Sequence, residues 1–286
     1  MRTAFHCFGP GNPLSAPIEL LNETAIRGAL ATSALPALSQ LDVHAEIDST
    51  NQFLLDREAP KTGELVVCLA EFQSAGRGRR GRSWQAPSGG GLCMSAGWTF
   101  DKAPADLSAL TLAAGVVVRR ALHDTTKVLA QLKWPNDLIV NGKKLGGILV
   151  ELRADSVKRC FVVVGIGINV SIDEAELRRL SDWPEGAVDL STALGARPPS
   201  RNLLAARIVE GVLQLFRRYE DRGFTGYHSE YLAADYLRGR EVTVDDSGDL
   251  IKGRAAGVDD TGLLLVESDG RVQRVIAGEV SVRPAA

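Results

Sequence analysis

Three apolar runs constrain the fold of this chain most, because each is long enough for a strand and too short for a membrane helix. They lie at Leu65–Ala70, Leu92–Phe100 and Phe161–Val170, and the last is the longest apolar stretch. A membrane span needs about 20 such residues. Of the 286 residues, 45% are hydrophobic and 24% are charged. These values predict a globular protein without a membrane span, with one large domain or two ordinary ones.

Helices and a hairpin surround these runs. Apolar residues recur at helical spacing in Asp106–His123 and Leu203–Tyr219, which predicts two amphipathic helices. The apolar segments Asp137–Val140 and Lys144–Leu152 flank Asn141-Gly142, a dipeptide typical of a type I′ hairpin turn. The pattern predicts an α+β fold with a mixed, mostly antiparallel sheet flanked by helices.

The composition predicts three parts. Residues 1–42 are marked by Pro and Gly and are only weakly helical, so we expect an N-terminal extension there. Residues 43–238 hold the apolar runs and are expected to form the main α+β domain. Residues 239–286 contain short apolar segments separated by Asp-Gly-type turns, which predicts a small SH3-like β-barrel.

The cysteines and the N-terminus indicate a reducing compartment. The four cysteines form no CxxC pair, and the first residues contain no apolar signal-peptide core. Cys68 and Cys93 lie inside apolar runs, where cysteine usually acts as a small hydrophobic residue. We therefore expect a cytoplasmic protein without a disulfide framework.

Charge and histidine spacing argue against two classes of function. The net charge of −2 is low for a protein that mainly grips a nucleic acid backbone. The four histidines are scattered without a metal-ligand spacing, so we expect no metal held by the protein alone.

A basic loop is the first motif with chemical meaning. Gly76–Arg82 holds four arginines and three glycines, and such a loop can wrap guanidinium groups and backbone N–H groups around an anion. Gln73 precedes it and Trp84 follows it, where an aromatic face can cover a ring. The alternative is a solvated basic loop or a nucleic-acid patch.

Two further motifs place polar groups beside strands. Lys133 ends an apolar strand, in the sequence KWPND. A buried ammonium group at this position can stabilise negative charge in acyl or phosphoryl transfer. The alternative is an edge lysine whose side chain extends to solvent. Ser49-Thr50-Asn51 offers short hydrogen-bonding side chains, and by itself it predicts a helix N-cap.

A glycine-rich run at Gly165–Asn169 looks like half of a dinucleotide fingerprint. Its third glycine position is Val170, and no helix is predicted to open there, so a Rossmann site is excluded. The sequence contains no GxxxxGK[ST] motif either. Any nucleotide must therefore bind without a P-loop.

Together these motifs resemble the biotin protein ligases, also called biotin–[acetyl-CoA-carboxylase] ligases, of the monofunctional type without an N-terminal DNA-binding domain. The matching stretches are DSTNQ from Asp48, AEFQSAGRGRRGRSW from Ala70, KWPNDLIVNGKKLGGILVE from Lys133 and VGIGINV from Val164. The resemblance extends from about residue 43 to the C-terminus. It implies a catalytic domain similar to class II synthetases followed by an SH3-like barrel.

The resemblance also implies a two-step reaction. Biotin and MgATP give biotinyl-5′-AMP and pyrophosphate, and the biotinyl group then passes to one lysine of a biotin carboxyl carrier protein domain, an acetyl-CoA carboxylase subunit. Biotin and ATP are therefore the expected substrates, and Mg²⁺ is expected to accompany ATP.

Site residues are carried over by motif. The implied catalytic residues are Lys133, Arg77 and Arg79. The implied biotin contacts are Ser49, Thr50, Asn51, Gln73, Arg77, Gly78, Arg79, Lys133, Leu138, Gly165 and Ile168, with Leu138 and Ile168 lining an apolar slot and with Gly165 and Gly167 admitting the ligand to the backbone. The implied ATP or adenylate contacts are Arg79, Arg80, Arg82, Trp84, Lys133 and Asn169, with Trp84 covering adenine.

Several alternatives stay open at this point. A lipoate-type protein ligase has a related catalytic domain, a nucleic-acid-binding module could use the basic loop, and a catalytically silent scaffold could keep the motifs. Relatives can dimerise by pairing sheets, so a homodimer is open as well. Residues 1–42 are too few for a winged helix, so we expect no sequence-specific DNA binding.

Overall fold

The computed structural model describes residues 19–104, 106–154, 159–180, 186–246, 249–276 and 279–282. The early positions of the weakly helical stretch, Cys7 among them, lie outside these ranges. Within them, no helix is both long and apolar enough to cross a membrane.

A seven-stranded sheet forms the centre of the molecule. Its strands are β1 (Leu38–Ile47), β2 (Leu65–Gln73), β3 (Gly91–Phe100), β4 (Gln131–Lys133), β5 (Asp137–Val140), β6 (Lys143–Ala154) and β7 (Cys160–Asn169). They are arranged in the order β1-β2-β3-β7-β6-β5-β4. Among the described strands, β1 and β2 pair in parallel and the other neighbours pair antiparallel. The predicted mixed, mostly antiparallel sheet is confirmed.

The helices cover both faces of this sheet unequally. They are α1 (Glu23–Ala29), α2 (Thr50–Leu55), α3 (Leu110–Thr126), α4 (Glu174–Leu180), α5 (Leu190–Leu194), α6 (Arg201–Arg222) and α7 (Thr225–Ala234). The main core packs α3 and α6 against one face. The other face carries α2 over a small core that contains Leu54, Cys68 and Phe161. This thinner layer leaves room for a cavity on the α2 face.

The tight hairpin is confirmed. Val140 pairs with Lys143 across a two-residue turn, and both turn residues, Asn141 (φ 52°) and Gly142 (φ 76°), have the positive φ that a type I′ turn requires.

Residues 38–42 differ from the prediction of weak helical character. Leu38–Ile47 is one strand, so the predicted division between residues 42 and 43 falls inside β1. The signal was weak because β1 is an edge strand whose side chains alternate irregularly between buried and half-exposed positions. The three-part division of the chain itself stays a prediction.

The C-terminal strands form a second, five-stranded sheet. They are β8 (Glu241–Asp246), β9 (Asp249–Val258), β10 (Leu264–Ser268), β11 (Arg271–Val275) and β12 (Glu279–Val282), in the antiparallel order β11-β10-β9-β8-β12. Trp134, next to the end of β4, joins this part to the large sheet, because its Nε1 donates to Gly262 O at 3.1 Å. Tyr236, which precedes β8, donates its backbone N–H to Leu132 O at 2.9 Å. The small β-domain therefore packs directly beside Lys133.

Candidate active site

A row of cross-strand neighbours forms the floor of the site. Lys133 lies opposite Asp137, Asp137 opposite Gly147, Gly147 opposite Gly167, and Gly167 opposite Cys93. Residues paired in this way project from the same face of a sheet. Lys133 is only 4% exposed. The buried ammonium group of Lys133 therefore lies at one end of this row, and Gly147 and Gly167 add no side chains to the floor.

A group of polar side chains, here called the polar cluster, lies beside this floor: the buried Ser49, Thr50, Asn51 and Ser95, and the half-buried Gln73. Ser49 is the N-cap of α2, as predicted, and its hydroxyl accepts from Gln52 N. Thr50 N donates to Gln73 Oε1 at 2.8 Å, and Ser95 Oγ lies 2.7 Å from Thr50 Oγ1 and 2.5 Å from Asn51 Oδ1. The cluster is neutral, and its members hold one another in place.

The glycines of β7 make room for side chains rather than only for a ligand. A Cβ on Gly165 would lie 2.2 Å from Asn51 Oδ1, and a Cβ on Gly167 would lie 2.3 Å from Trp84 Cε2. Such distances are far below van der Waals contact. Both glycines also line the cavity described below, so their contact with the ligand through the backbone stays a prediction.

The segment Gly76–Arg82, here called the arginine loop, folds back on itself. Gly78 N donates to Arg82 O (2.7 Å) and Trp84 N donates to Gly76 O (2.9 Å). At its tip, Arg80 has a φ of 55° and Gly81 a φ of 75°, and the left-handed region is unfavourable for an arginine. The loop is therefore a tight turn, and its four arginines line the cavity described below.

Glu151 connects the arginine loop to the polar cluster, and the sequence motifs did not single it out. Its Oε1 accepts from Arg77 Nη2 at 2.5 Å, and its Oε2 accepts from Asn51 Nδ2 at 2.8 Å. Arg77 Nη1 also donates to Gln52 Oε1. Glu151 and Leu149 lie two residues apart in β6, so both project from the same face of the sheet. Leu149 pairs with Gly165, which faces the site, and Glu151 pairs with Val163, so Glu151 faces the site as well. That alternation is the signal that could have found it.

These parts enclose a cavity of about 560 Å³, a size typical of small-molecule sites. The small β-domain contributes Thr243, Asp245, Leu250 and Val280 to its wall. Predicted site residues that line the cavity are Ser49, Thr50, Asn51, Gln73, Arg77, Gly78, Arg79, Arg80, Arg82, Trp84, Lys133, Gly165, Gly167 and Asn169.

Leu138 and Ile168 are not part of the cavity lining, so their predicted contact with an apolar slot is corrected. Both are fully buried in the main core on the helical face. The reason is the two-residue period of a strand: Asp137 and Gly167 face the cavity, so Leu138 and Ile168 must face the other way. Resemblance of motifs identified the strands but not this orientation.

Two other cavity residues already have partners within the protein. Asn169 Nδ2 donates to Val188 O at 3.2 Å, and Asp137 Oδ1 lies 2.6 Å from Lys144 Nζ. Cys93, on the floor, has a thiol pKa raised to about 11 by burial, so the thiol stays protonated and unreactive at neutral pH.

A cavity of this size, with cations beside a neutral polar cluster, is typical of enzymes that activate a small acid with a nucleotide. The sequence comparisons agree. The profile of the Biotin/lipoate A/B protein ligase family matches residues 43–169, and that of the biotin protein ligase C-terminal domain matches residues 238–283. The chain belongs to the biotin protein ligases within this family.

Similar proteins cover most of the chain. The bifunctional ligase/repressor BirA of Escherichia coli is 36% identical over 97% of this chain and 83% of its own length. The biotin–[acetyl-CoA-carboxylase] ligase of Mycobacterium tuberculosis is 36% identical over 78% of this chain and 79% of its own. Among solved structures, the biotin protein ligase of Aquifex aeolicus in complex with biotin and ATP is similar with a TM-score of 0.72 and 27% identity, over 87% of this chain and 100% of that one.

Proposed function

We propose that this protein activates biotin with ATP to biotinyl-5′-AMP and transfers the biotinyl group to a lysine of a biotin carboxyl carrier protein domain. Family membership and the relatives named biotin–[acetyl-CoA-carboxylase] ligase support the proposal. The observation that carries it is the position of Lys133. This buried cation stands at the end of a glycine-rich floor, in one cavity with the neutral polar cluster and the arginine loop.

In the first step, a carboxylate oxygen of biotin attacks the α-phosphorus of ATP. A P–O bond forms to biotin, and the bond to the leaving pyrophosphate breaks. We assign Lys133 to the carboxylate and the α-phosphate, with Arg77 and Arg79 adding positive charge from the loop. Cations placed where negative charge accumulates stabilise the transition state without reorganisation.

The polar cluster suits the uncharged end of biotin. The ureido group carries two N–H donors and one carbonyl acceptor, so it needs neutral partners of both kinds. Thr50, Asn51 and Gln73 offer them on a preformed scaffold. We assign these side chains, with Ser49, to ureido recognition.

We assign binding of the nucleotide to the arginine loop, Trp84 and the C-terminal end of β7. We assign Trp84 to stacking on adenine, Asn169 to its polar edge, and Arg80 and Arg82 to the phosphates. ATP enters as MgATP, so Mg²⁺ is part of the substrate; among the described residues, no group of three acidic, His or Cys side chains is arranged to hold a metal.

In the second step, the neutral amine of an acceptor lysine attacks the acyl carbon of the adenylate, and AMP leaves with the electrons of the acyl–oxygen bond. Thr243, Asp245 and Leu250 place the small β-domain at the cavity wall. We propose that this domain helps to guide the carrier protein toward the adenylate.

The test is ATP-dependent transfer of biotin to a purified biotin carboxyl carrier domain, with lipoate as the competing acid. Transfer and ATP–pyrophosphate exchange with biotin alone are expected. Exchange with lipoate in preference would assign the chain to lipoate chemistry, and no exchange with either acid would overturn the proposal.

We further propose that the protein is cytoplasmic and does not bind nucleic acid. A cytoplasmic location is supported by Cys68, Cys93 and Cys160, which are buried and unpaired by disulfides. The net charge of −2 supports the absence of nucleic-acid binding, and a gel shift with duplex DNA at physiological salt tests it. The resemblance allows a homodimer, and light scattering with and without biotin and ATP tests for one.

A further inference from the structure

A buried ion pair lies outside the cavity, at the base of the arginine loop. Arg201, the first residue of α6, is 4% exposed, and Glu71 in β2 is 7% exposed. Arg201 Nη1 donates to Glu71 Oε2 at 2.8 Å, and Nη2 donates to Glu71 Oε1 at 3.1 Å. The guanidinium group and the carboxylate therefore meet as two parallel hydrogen bonds, the strongest geometry for such a pair.

The same guanidinium reaches the other side of the loop. Arg201 Nη1 also donates to Gly91 O at 3.0 Å. Glu71 lies near the end of β2 and Gly91 begins β3, so the segment between these two contacts contains the whole arginine loop and Trp84. One side chain thus contacts both ends of the segment that contains the arginine loop, just beyond the last β2–β3 pair, Ala70 with Cys93.

The chain before α1 closes over this pair. Leu21 N donates to Glu71 Oε1 at 2.5 Å, and Arg201 Nη2 donates to Glu19 O. Glu19 in turn accepts from Ser200 Oγ at 2.6 Å and from Arg201 N at 3.0 Å. The pair is therefore shielded from water and has partners on several sides.

Stability alone does not explain such an arrangement. Removing two charges from water costs about as much free energy as their attraction returns, and apolar replacements of buried pairs are often neutral. A fixed bidentate geometry is what the pair adds.

We infer that Arg201 and Glu71 are positioning residues for the proposed reaction: they hold the two ends of the arginine loop at a set separation, so that Arg77, Arg79 and Trp84 lie over the cavity. This inference rests on the proposed function, since the loop is assigned to the substrates there. Neither residue lines the cavity, so both act through the loop.

The test compares Arg201→Lys, which keeps the charge but loses the fork, with Arg207→Lys as a matched control. Arg207 lies on the same helix and pairs at 2.8 Å with Glu210, but it is half-exposed and distant from the loop ends. Trypsin cleaves after the loop arginines, so the rate of cleavage between Gly76 and Ser83 reports loop opening without any substrate. Midpoints of thermal unfolding are measured alongside.

Arg201→Lys is expected to raise loop cleavage and the KM for ATP in ATP–pyrophosphate exchange by about tenfold each, the equivalent of one charge-assisted hydrogen bond. Arg207→Lys is expected to change neither. Glu71→Gln, which keeps the shape, is expected to act like Arg201→Lys, and serves if that variant folds poorly. Cleavage and KM that stay at wild-type values, or that change only in step with the unfolding midpoint, would overturn the inference.

Trypsin cleavage tests the role of the ion pair, and ATP–pyrophosphate exchange tests the proposed function. If the wild-type protein shows no exchange with biotin, the proposed function fails, while the cleavage rates still decide whether the pair holds the loop.

Discussion

The polar cluster and the arginine loop form two parts of one cavity wall, and they are built in opposite ways. Ser49, Thr50 and Asn51 are at most 4% exposed and hydrogen-bond within the protein. The Arg77 side chain is 41% exposed, although Glu151 holds its guanidinium group. Recognition of a neutral group can be completed before the ligand arrives, whereas a group of four arginines gains most of its stabilisation from an anionic substrate.

One residue joins the polar cluster to the arginine loop, and an ion pair outside the cavity supports the loop. Glu151 connects them on the cavity side, and Arg201 with Glu71 fixes the ends of the loop beneath. Substitutions should therefore separate their contributions: changes in the arginine loop should affect the chemistry on phosphate, and changes near the polar cluster should affect biotin affinity and stability.

The largest effect is expected at Lys133, which serves both parts. Lys133→Ala should lower ATP–pyrophosphate exchange by about 10²- to 10³-fold, the usual loss when one preorganised charge-stabilising group is removed. Lys143→Ala, at an exposed lysine that begins β6, should leave exchange unchanged. Near wild-type exchange in Lys133→Ala would remove the central assignment.

A smaller effect is expected within the arginine loop. Arg79→Ala should lower kcat/KM for exchange by about 10- to 100-fold, because charge-assisted hydrogen bonds to phosphate are lost. The unfolding midpoint should stay constant, since the backbone hydrogen bonds of the loop are retained. Arg178→Ala on exposed α4 serves as the control. An equal loss in both variants would show a general charge effect instead.

The polar cluster can be tested through the glycine that makes room for it. Gly165→Ala places a Cβ 2.2 Å from Asn51 Oδ1, so Asn51 must move. We expect a loss of about 1–3 kcal/mol in the free energy of unfolding and a raised KM for biotin. Gly28→Ala in α1, where a Cβ meets nothing within 4 Å, should be neutral or stabilising. If KM for ATP rises instead of KM for biotin, the division of roles between the two parts is wrong.

The smallest effect is expected on stability, at Asp235, which lies outside both the polar cluster and the arginine loop. Burial raises the pKa of Asp235 from 3.8 to about 6, against the opposing hydrogen bonds from Leu237 and Arg238. A carboxyl group with a raised pKa in the folded state contributes stability below its unfolded pKa and loses it as the pH rises through the folded pKa. The wild-type protein should therefore lose about 1–2 kcal/mol from this group between pH 4 and 6.

Asp235→Asn should flatten this part of the stability profile and raise the free energy of unfolding at pH 7, measured by denaturant titration. Its Oδ1 can still accept from Leu237 N. Asp124→Asn, at an exposed position, should leave the profile as in the wild type. A pH dependence that persists in Asp235→Asn would assign it to other groups.

Local patterns predicted most of the elements. Continuous apolar runs identified β2, β3 and β7, helical spacing identified α3 and α6, and Asn141-Gly142 identified the hairpin turn, because each of these signals depends on neighbours in sequence. The edge strand β1 was missed, because its pairing with β2 is long-range and its apolar pattern is weak.

The sequence by itself determined which chemistry is available: a KWPND lysine, a glycine-arginine loop and a run of small polar side chains, recognisable because their residue types and order are written in the chain. Only the tertiary structure decided how these groups face one another. Strand register brings Lys133, Asp137, Gly147 and Gly167 into one row and turns Leu138 and Ile168 into the core. The contacts of Glu151 with Arg77 and of Arg201 with Glu71 join residues far apart in the chain. Such contacts depend on the packing of whole strands and helices, which no local pattern encodes.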